Sequence, residues 1–270
     1  MKLLALLSTL LAFAIYSPPQ AMETLGDDLK EFDASLRDEF LKIAQPKAFQ
    51  DKTDYKTHEP AYLKEERDLI AGKKLTLAGI LPFRGGDVVG DTICALTNSQ
   101  WSHTGAKVVD QEGLEYCFEC TGAADEILKE NMWPQVQIHK LDDVVANYNG
   151  NVGYRPIHTA AENNADVTTY VHSWLGIPYE ERPLDLIRSI GDWNKEEHDK
   201  SMFCSQMVAL LLKKVGYLPN GPDAKLADNY IPRDFGMQES LALSGGAQLG
   251  DLIYLKGSPS KVKKHKCVLF

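Results

Sequence analysis

Short strand-like runs follow one another through the middle of the chain and restrict the folds that it can adopt. After Gly72, runs rich in β-branched and aromatic residues are separated by Gly, Asp and Pro, a pattern typical of strands joined by turns. We predict strands over Leu75–Leu81, Asp87–Val89, His103–Val109, Leu114–Cys120, Gln135–His139 and Asp251–Leu255, and helices over Thr168–Leu175 and Cys204–Val215. Because the helices cluster late instead of alternating with strands, the pattern predicts an α+β fold with a mainly antiparallel sheet.

The 270 residues can hold one large domain with further segments at its ends. Residues 73–255 are predicted to form the main domain, and residues 256–270 a basic C-terminal tail. Residues 22–72 form a helical N-terminal extension, in which apolar positions recur every three or four residues from Met22 to about Gln45. A second, short helix is expected around Ala61 to Ala71. We expect the extension to pack on the main domain as a lid or flank.

The two ends of the chain predict different locations. Met1–Ala21 has Lys2, an apolar run and a small residue at position 21, which is the layout of a secretory signal peptide or an N-terminal anchor. The last residues read K-V-K-K-H-K-C-V-L-F, a prenylation box at Cys267 behind a polybasic stretch that could hold the protein on a cytoplasmic membrane surface. Prenylation takes place in the cytosol, so one molecule cannot use both signals. A secretory or extracellular location is the first expectation, and a prenylated cytoplasmic form is the alternative.

The charge of the chain excludes some partners. Formal net charge is −9, and residues 1–255 alone carry 24 basic against 38 acidic side chains. Such an acidic body repels phosphate backbones, so we expect no nucleic-acid partner. The sequence also contains no glycine-rich phosphate-binding motif, and no nucleotide or other cofactor is expected.

The cysteines and histidines show no metal-site or disulfide pattern. Five cysteines are too few and too widely spaced for a disulfide framework. Cys117 and Cys120 form a lone C-x-x-C within a strand-like run, and strand alternation sends two side chains three positions apart to opposite faces. We therefore predict no metal site, and surface or capping roles for the remaining histidines, which are His139, His158, His172, His198 and His265.

Cys204 opens an amphipathic helical run. The apolar face continues to Val215, Gly216 suits the C-terminal cap, and Pro219 lies beyond the helix. A thiol in the first turn faces unpaired N–H groups and the positive end of the helix dipole, which favours the thiolate form. Cys204 is therefore placed like a nucleophile, although a buried structural cysteine is an equal alternative on position alone.

A predicted hairpin brings a histidine beside a carboxylate. Two alternating runs flank D-Q-E-G, and a three-residue loop between them fixes their register. That register sets the following residues opposite one another: Val109 and Gly113, Lys107 and Glu115, and His103 and Glu119. A carboxylate beside His103 can orient the imidazole and stabilise its protonated form, which is the base that a cysteine nucleophile needs.

Six motifs then occur in a characteristic order: G-D-V-V, W-S-H-T-G, F-E-C, L-G-I-P-Y, F-C-S-Q-M-V-A and N-Y-I-P-R-D-F. Over roughly residues 80–255 this order resembles the circularly permuted papain-like superfamily. That NlpC-like group includes the bacterial YiiX-like and YaeF-like amidases and, more distantly, lecithin retinol acyltransferase. The resemblance implies a permuted papain-like fold, with Cys204 as nucleophile, His103 as base and Glu119 as the third polar residue. It also implies that Tyr179 lines the pocket, with core packing as the alternative role for this residue. Gln206 departs from the family pattern, because relatives often have Glu at that position.

The resemblance and the residues together predict a thiol hydrolase of the amidase or peptidase type. A thioester acyl-enzyme would form on Cys204 and be released by water. The substrate would be a peptide, an amide or an acyl lipid. Two alternatives remain open: a lipid-directed acyltransferase or thioesterase that uses the same thioester, and a membrane-tethered binding module without turnover.

Overall fold

The protein was analysed as a computed structural model, which describes residues 61–86, 88–121, 135–159, 165–180, 188–190, 192, 194–197, 200–236 and 241–258. The N-terminal segment Met1–Ala21, the amphipathic run from Met22 to Gln45 and the tail that carries Cys267 lie outside these residues. The assignments made for those three segments stay predictions.

The described chain contains helices and strands in the following order: α1 (Ala61–Ile70), β1 (Leu75–Gly85), α2 (Val88–Thr97), β2 (His103–Asp110), β3 (Glu115–Thr121), β4 (Gln135–Lys140), α3 (Leu141–Asn147), β5 (Gly150–Thr159), α4 (Thr168–Trp174), α5 (Cys204–Lys214), a 3₁₀ turn (Ala227–Asn229), α6 (Pro232–Gly236), β6 (Ala247–Leu249) and β7 (Ile253–Lys256).

The strands form one sheet in the order β4-β3-β2-β1-β5-β6, and β7 also pairs with β5. Every named pair of strands is antiparallel. This confirms the expected mixed α+β class with an antiparallel sheet packed against helices.

Two apolar clusters cover the sheet. The larger one holds most of α5, including Met207 and Leu211, packed with strand residues such as Phe118. The smaller one includes Phe83 and Val144, from β1 and α3. The cysteines of the C-x-x-C belong to different clusters, Cys120 to the larger and Cys117 to the smaller, so the predicted opposite orientation is confirmed.

The strand predicted over Asp87–Val89 is wrong, because α2 begins at Val88. The buried residues of this segment are Gly90, Cys94 and Thr97. Their spacings of four and three residues fit one face of a helix. This periodicity over ten residues outweighs the local strand preference of two adjacent valines. The sequence analysis also missed α3, β5, α6, β6 and the 3₁₀ turn.

The predicted register of the β2–β3 hairpin is wrong by two residues. Val109 pairs with Glu115, not with Gly113. The Asp110 carboxylate accepts the backbone N–H groups of Glu112 and Leu114, and the backbone N–H of Asp110 donates to the Leu114 carbonyl at 3.0 Å. The loop therefore closes one residue later than expected, with Gly113 in the left-handed conformation at φ 85°.

Candidate functional site

The first turn of α5 positions Cys204. Phe203 is extended, at φ −100° and ψ 167°, and Cys204 is the first helical residue. The backbone N–H of Phe203 donates to Oε1 of Gln206 at 3.2 Å, which fixes the point at which the helix begins. Gly216 ends it in the left-handed conformation, with its N–H on the Lys213 carbonyl at 3.1 Å. The Cys204 thiol thus sits at a well-defined helix start and is 5% exposed.

Gln206 has a second partner that explains why a glutamine occupies this position. Its Nε2 donates to Oδ1 of Asp228, in the 3₁₀ turn, at 2.9 Å, and both side chains are buried. A glutamate at position 206 would bring two buried carboxylates together, which is costly unless one of them is protonated. The glutamine at position 206 therefore matches Asp228 and stabilises the helix start.

His103 lies at the beginning of β2, beside the end of β3. Its Nε2 is 2.5 Å from Oε2 of Glu119, and the Glu119 side chain is fully buried. The other carboxylate oxygen accepts a longer hydrogen bond, of 3.4 Å, from Nε2 of Gln137. The imidazole also packs near the Phe83 ring, with ring centroids 5.2 Å apart. His103 therefore contacts both an ionisable side chain and an aromatic one.

The His103–Glu119 contact forms although the predicted register is wrong. A shift of two residues leaves every side chain on its original face of the sheet. The pairs that were expected to lie opposite one another become diagonal neighbours, still within reach of long side chains. Lys107 and Glu115 show the same effect, with Nζ and Oε1 2.6 Å apart.

Cys204 lies within electrostatic reach of His103. Burial alone would lower the pKa of His103, but the charge of Cys204 and the Glu119 carboxylate raise that pKa to about 10. Burial would raise the pKa of Glu119, yet the charge and hydrogen bond of His103 hold it below its usual value. The surroundings of His103 therefore favour its protonated form.

Tyr179 approaches Cys204 through a short parallel bridge. The bridge pairs Tyr179 with Met202, two residues before Cys204, and the Glu180 N–H donates to the Met202 carbonyl at 2.9 Å. Burial raises the pKa of Tyr179, and the nearby charge of Cys204 raises it further. Tyr179 thus lies within electrostatic reach of the thiol. The Cys120 thiol donates to the same Met202 carbonyl at 3.0 Å.

The sequence reading missed several polar residues around this group. Gln137 and Asp228 were not singled out, and the surface or capping role given to His139 is wrong because that residue is 8% exposed. A usable signal existed for two of them. In Q-V-Q-I-H-K, Gln137 and His139 alternate with apolar residues on a strand whose neighbour carries Glu119. His158 and His172 are exposed, as expected, whereas His198 and His265 lie outside the described residues.

Two classes of feature do not occur in the described part of the chain. None of its helices is long and apolar enough to cross a membrane. Among the same residues, no group of three or more His, Cys, Asp or Glu side chains could hold a metal ion.

Comparison with known proteins gives a weak structural neighbour. No protein-family model and no curated protein matches the chain. A solved structure, described as the metalloprotein YiiX from Escherichia coli O157:H7, a DUF1105 protein, matches with a TM-score of 0.34 and 19% sequence identity. The match covers 52% of this chain and 66% of the YiiX chain.

Proposed function

We propose that this protein is a thiol hydrolase that cleaves amide bonds, with Cys204 as nucleophile, His103 as base and Glu119 as the residue that orients His103. One observation carries the proposal: His103, which lies within electrostatic reach of Cys204 at the start of a helix, is hydrogen-bonded to the fully buried Glu119. An activated thiol needs a base beside it and a third group that orients that base. The motif order supports a permuted papain-like, NlpC-like fold for the main domain.

Each group has a definite task in the reaction. The Cys204 thiolate, stabilised by the imidazolium, attacks the carbonyl carbon of the substrate. The oxyanion that forms is stabilised by backbone N–H groups in the first turn of α5, including that of Cys204, which no intrahelical carbonyl can satisfy. His103 gives its proton to the leaving amine, and a thioester remains on Cys204. Water then attacks the thioester with His103 as base, which releases the acid and regenerates the thiolate.

All four described cysteines are buried, but their surroundings differ. Burial raises the pKa of both Cys117 and Cys120, which keeps these two groups protonated. Neither lies at the start of a helix. Among the described cysteines, Cys204 combines a helix start with a nearby imidazole.

Intact mass spectrometry tests the proposal. The protein is incubated with candidate peptide, acyl-lipid and thioester substrates, and an acyl adduct on Cys204 is sought before and after product appears. The matched control is Cys94→Ala, which removes a buried thiol in α2. Hydrolysis through a Cys204 adduct supports the proposal. If the acyl group is transferred to a lipid acceptor, the protein is an acyltransferase and the hydrolase proposal is wrong. If substrates bind without any adduct or turnover, the protein is a binding module.

A further inference from the structure

A glycine lies opposite Glu119 in the hairpin that carries the candidate base. Gly105 pairs with Glu119 in the β2–β3 ladder, and it is buried. Its backbone is not in the left-handed conformation that favours glycine, so conformation does not explain why this residue lacks a side chain. The explanation lies in the space around it.

The two strands approach too closely at this point to leave room for a side chain on β2. A Cβ at position 105 would lie 3.1 Å from Cβ of Glu119 and 3.2 Å from the carbonyl oxygen of Phe118. Cβ atoms of directly opposite residues normally lie about 4.5–5.5 Å apart. Sγ of Cys117 would also be only 3.4 Å away. Glu119 and its neighbours therefore fill the space that an alanine at position 105 would need.

This close approach brings the Glu119 carboxylate to His103. His103 lies two positions before Gly105, so it shares a face of β2 with that position and is the diagonal neighbour of Glu119. Diagonal neighbours are usually about 7–8 Å apart, farther than opposite ones. Nε2 of His103 is nevertheless 2.5 Å from Oε2 of Glu119.

A second diagonal pair in the same hairpin shows what is special about His103. Glu115 lies opposite Val109 and contacts Lys107, with Nζ and Oε1 2.6 Å apart. A lysine is long enough to reach its carboxylate past an opposite side chain. An imidazole is attached through a single methylene group, so the carboxylate must come to it. Glu119 can do so because the residue opposite has no Cβ.

The strand on the other side of Glu119 fixes the direction in which it would be displaced. Gln137 lies opposite Glu119 in β4, and its Nε2 donates to Oε1 of Glu119 at 3.4 Å. A Cβ at position 105 would push Glu119 towards Gln137, away from β2 and therefore away from His103. Carbon atoms in contact lie about 3.5–4.0 Å apart, so Cβ of Glu119 would have to move by at least about 0.4 Å.

We propose that Gly105 is a positioning residue for the candidate site: the space that it leaves on β2 lets Glu119 reach across the ladder and form its hydrogen bond with His103. The inference rests on the roles proposed for His103 and Glu119, and it deepens them. It also assigns a task to the last residue of W-S-H-T-G, which sets the distance between the base and the group that orients it.

The effect of a side chain at position 105 follows from charge. A carboxylate beside an imidazole favours the protonated form, so a longer distance between His103 and Glu119 lowers the pKa of His103. Among the described residues, the titratable groups that act on His103 are Cys204 in α5 and Glu119 in β3. Gly105→Ala displaces the second of these and leaves α5 unchanged.

The experiment follows the imidazole NMR signals of His103 in the full-length protein across neutral and alkaline pH. The signals are assigned by their loss in His103→Ala. The test variants are Gly105→Ala, Glu119→Gln and the double variant. Gly113→Ala is the matched control: it is the same substitution in the same hairpin, at a left-handed φ of 85°, with no other part of the described chain within 4 Å of the added Cβ. Thermal unfolding is measured for every variant.

We expect Gly105→Ala to lower the pKa of His103 by about 0.5–1 unit. The double variant should have the same pKa as Glu119→Gln, because the carboxylate through which Gly105 acts is already gone. Gly113→Ala should lose stability through backbone strain and keep the wild-type pKa. An unchanged pKa in folded Gly105→Ala, a further fall in the double variant, or an equal fall in Gly113→Ala overturns the inference.

Circular dichroism shows whether Gly105→Ala folds. If it does not fold, the exchanged pair Gly105→Ala/Glu119→Gly, in which the missing Cβ moves from β2 to β3, decides the question. Recovery of the fold shows that the added Cβ collides with Glu119 and supports the inference. A pair that still fails to fold places the collision on the backbone of Phe118 and overturns it. The titration needs neither a substrate nor a reactive thiol, so failure of the proposed function is seen separately, as the absence of an acyl adduct on Cys204.

Discussion

Replacing Glu119 by Gln tests the proposed site at a residue that does not contact the substrate. The two side chains have nearly the same shape, so the fully buried position opposite Gln137 stays filled. The amide oxygen can still accept the N–H of His103, which contacts Oε2 of Glu119 in the wild-type protein. The substitution therefore removes a negative charge and leaves the packing and one hydrogen bond in place.

The size of the effect follows from the difference between charged and neutral hydrogen bonds. Hydrogen bonds to charged groups contribute about 1.5–3 kcal/mol, and neutral ones about 1 kcal/mol. The difference, about 0.5–2 kcal/mol, corresponds to roughly one unit in the pKa of His103, which falls because its carboxylate partner is gone. If the same energy is lost in the transition state, kcat/KM decreases about 2- to 30-fold.

The assay compares kcat/KM of wild type, Glu119→Gln and Glu115→Gln. Glu115 is a matched control, because it lies on the same strand and forms an ion pair with Lys107 but is about half exposed. Circular dichroism and thermal unfolding check that each variant folds. Glu115→Gln should keep full activity. Equal activity in Glu119→Gln and wild type, or equal losses in the two variants, would refute the role assigned to Glu119.

Four further outcomes are expected. Cys204→Ala and His103→Ala should each abolish turnover, and the double variant should be no worse than either, because residues that act as one unit are not additive; full activity in His103→Ala contradicts the assignment. Gln206→Glu should destabilise the protein by about 1–3 kcal/mol at pH 7 and less at pH 5 in urea unfolding, because it sets a carboxylate against Asp228; equal losses at both pH values would exclude charge repulsion. The pKa of His103 in the folded protein is about 10, above its unfolded value near 6.5. The protonated His103 should therefore stabilise the protein fully below about pH 6.5, and this contribution should disappear as pH rises through about 10. The free energies of urea unfolding of wild type and His103→Ala, compared across that pH range, check the direction of the effect. Whole-protein mass from the native host decides between the two ends: a shortened N-terminus with an intact V-L-F end excludes prenylation, and a trimmed, prenylated Cys267 excludes secretion.

The start of α5 could be predicted from sequence because its signals are local. The apolar face, Gly216 and Pro219 all lie within sixteen residues of Cys204, and each acts on its own stretch of backbone. Strand β5 gave no such signal. Its sequence G-N-V-G-Y-R-P-I-H-T contains two glycines and Pro156, which argue against a central strand.

What makes β5 a central strand is close contact with β1. Gly79 pairs with Pro156, and a Cβ at position 79 would lie 2.3 Å from the backbone oxygen of Arg155. Only a glycine allows this approach. Gly79 and Pro156 are 77 positions apart in the chain, so neither segment alone reveals the pairing.

The same distinction separates the parts of the candidate site. His103 and Glu119 belong to one hairpin, and their shared face survives an error of two residues in register because side chains alternate with a period of two. An error of one residue would have placed them on opposite faces. The prediction that these two side chains share a face therefore fails if the register is wrong by an odd number of residues, but survives an error of an even number.

Residues from outside the hairpin do not benefit from this tolerance. Glu66 is buried on a helix that precedes the sheet, although its neighbours in E-E-R-D are typical of a solvated helix face. Only the packing of α1 against β4 distinguishes Glu66 from the exposed Glu65 beside it. Local sequence reveals a nucleophile and its base when each lies in a regular element. The polar residues around the nucleophile and its base come from several elements. They are recognised only once those elements are packed together.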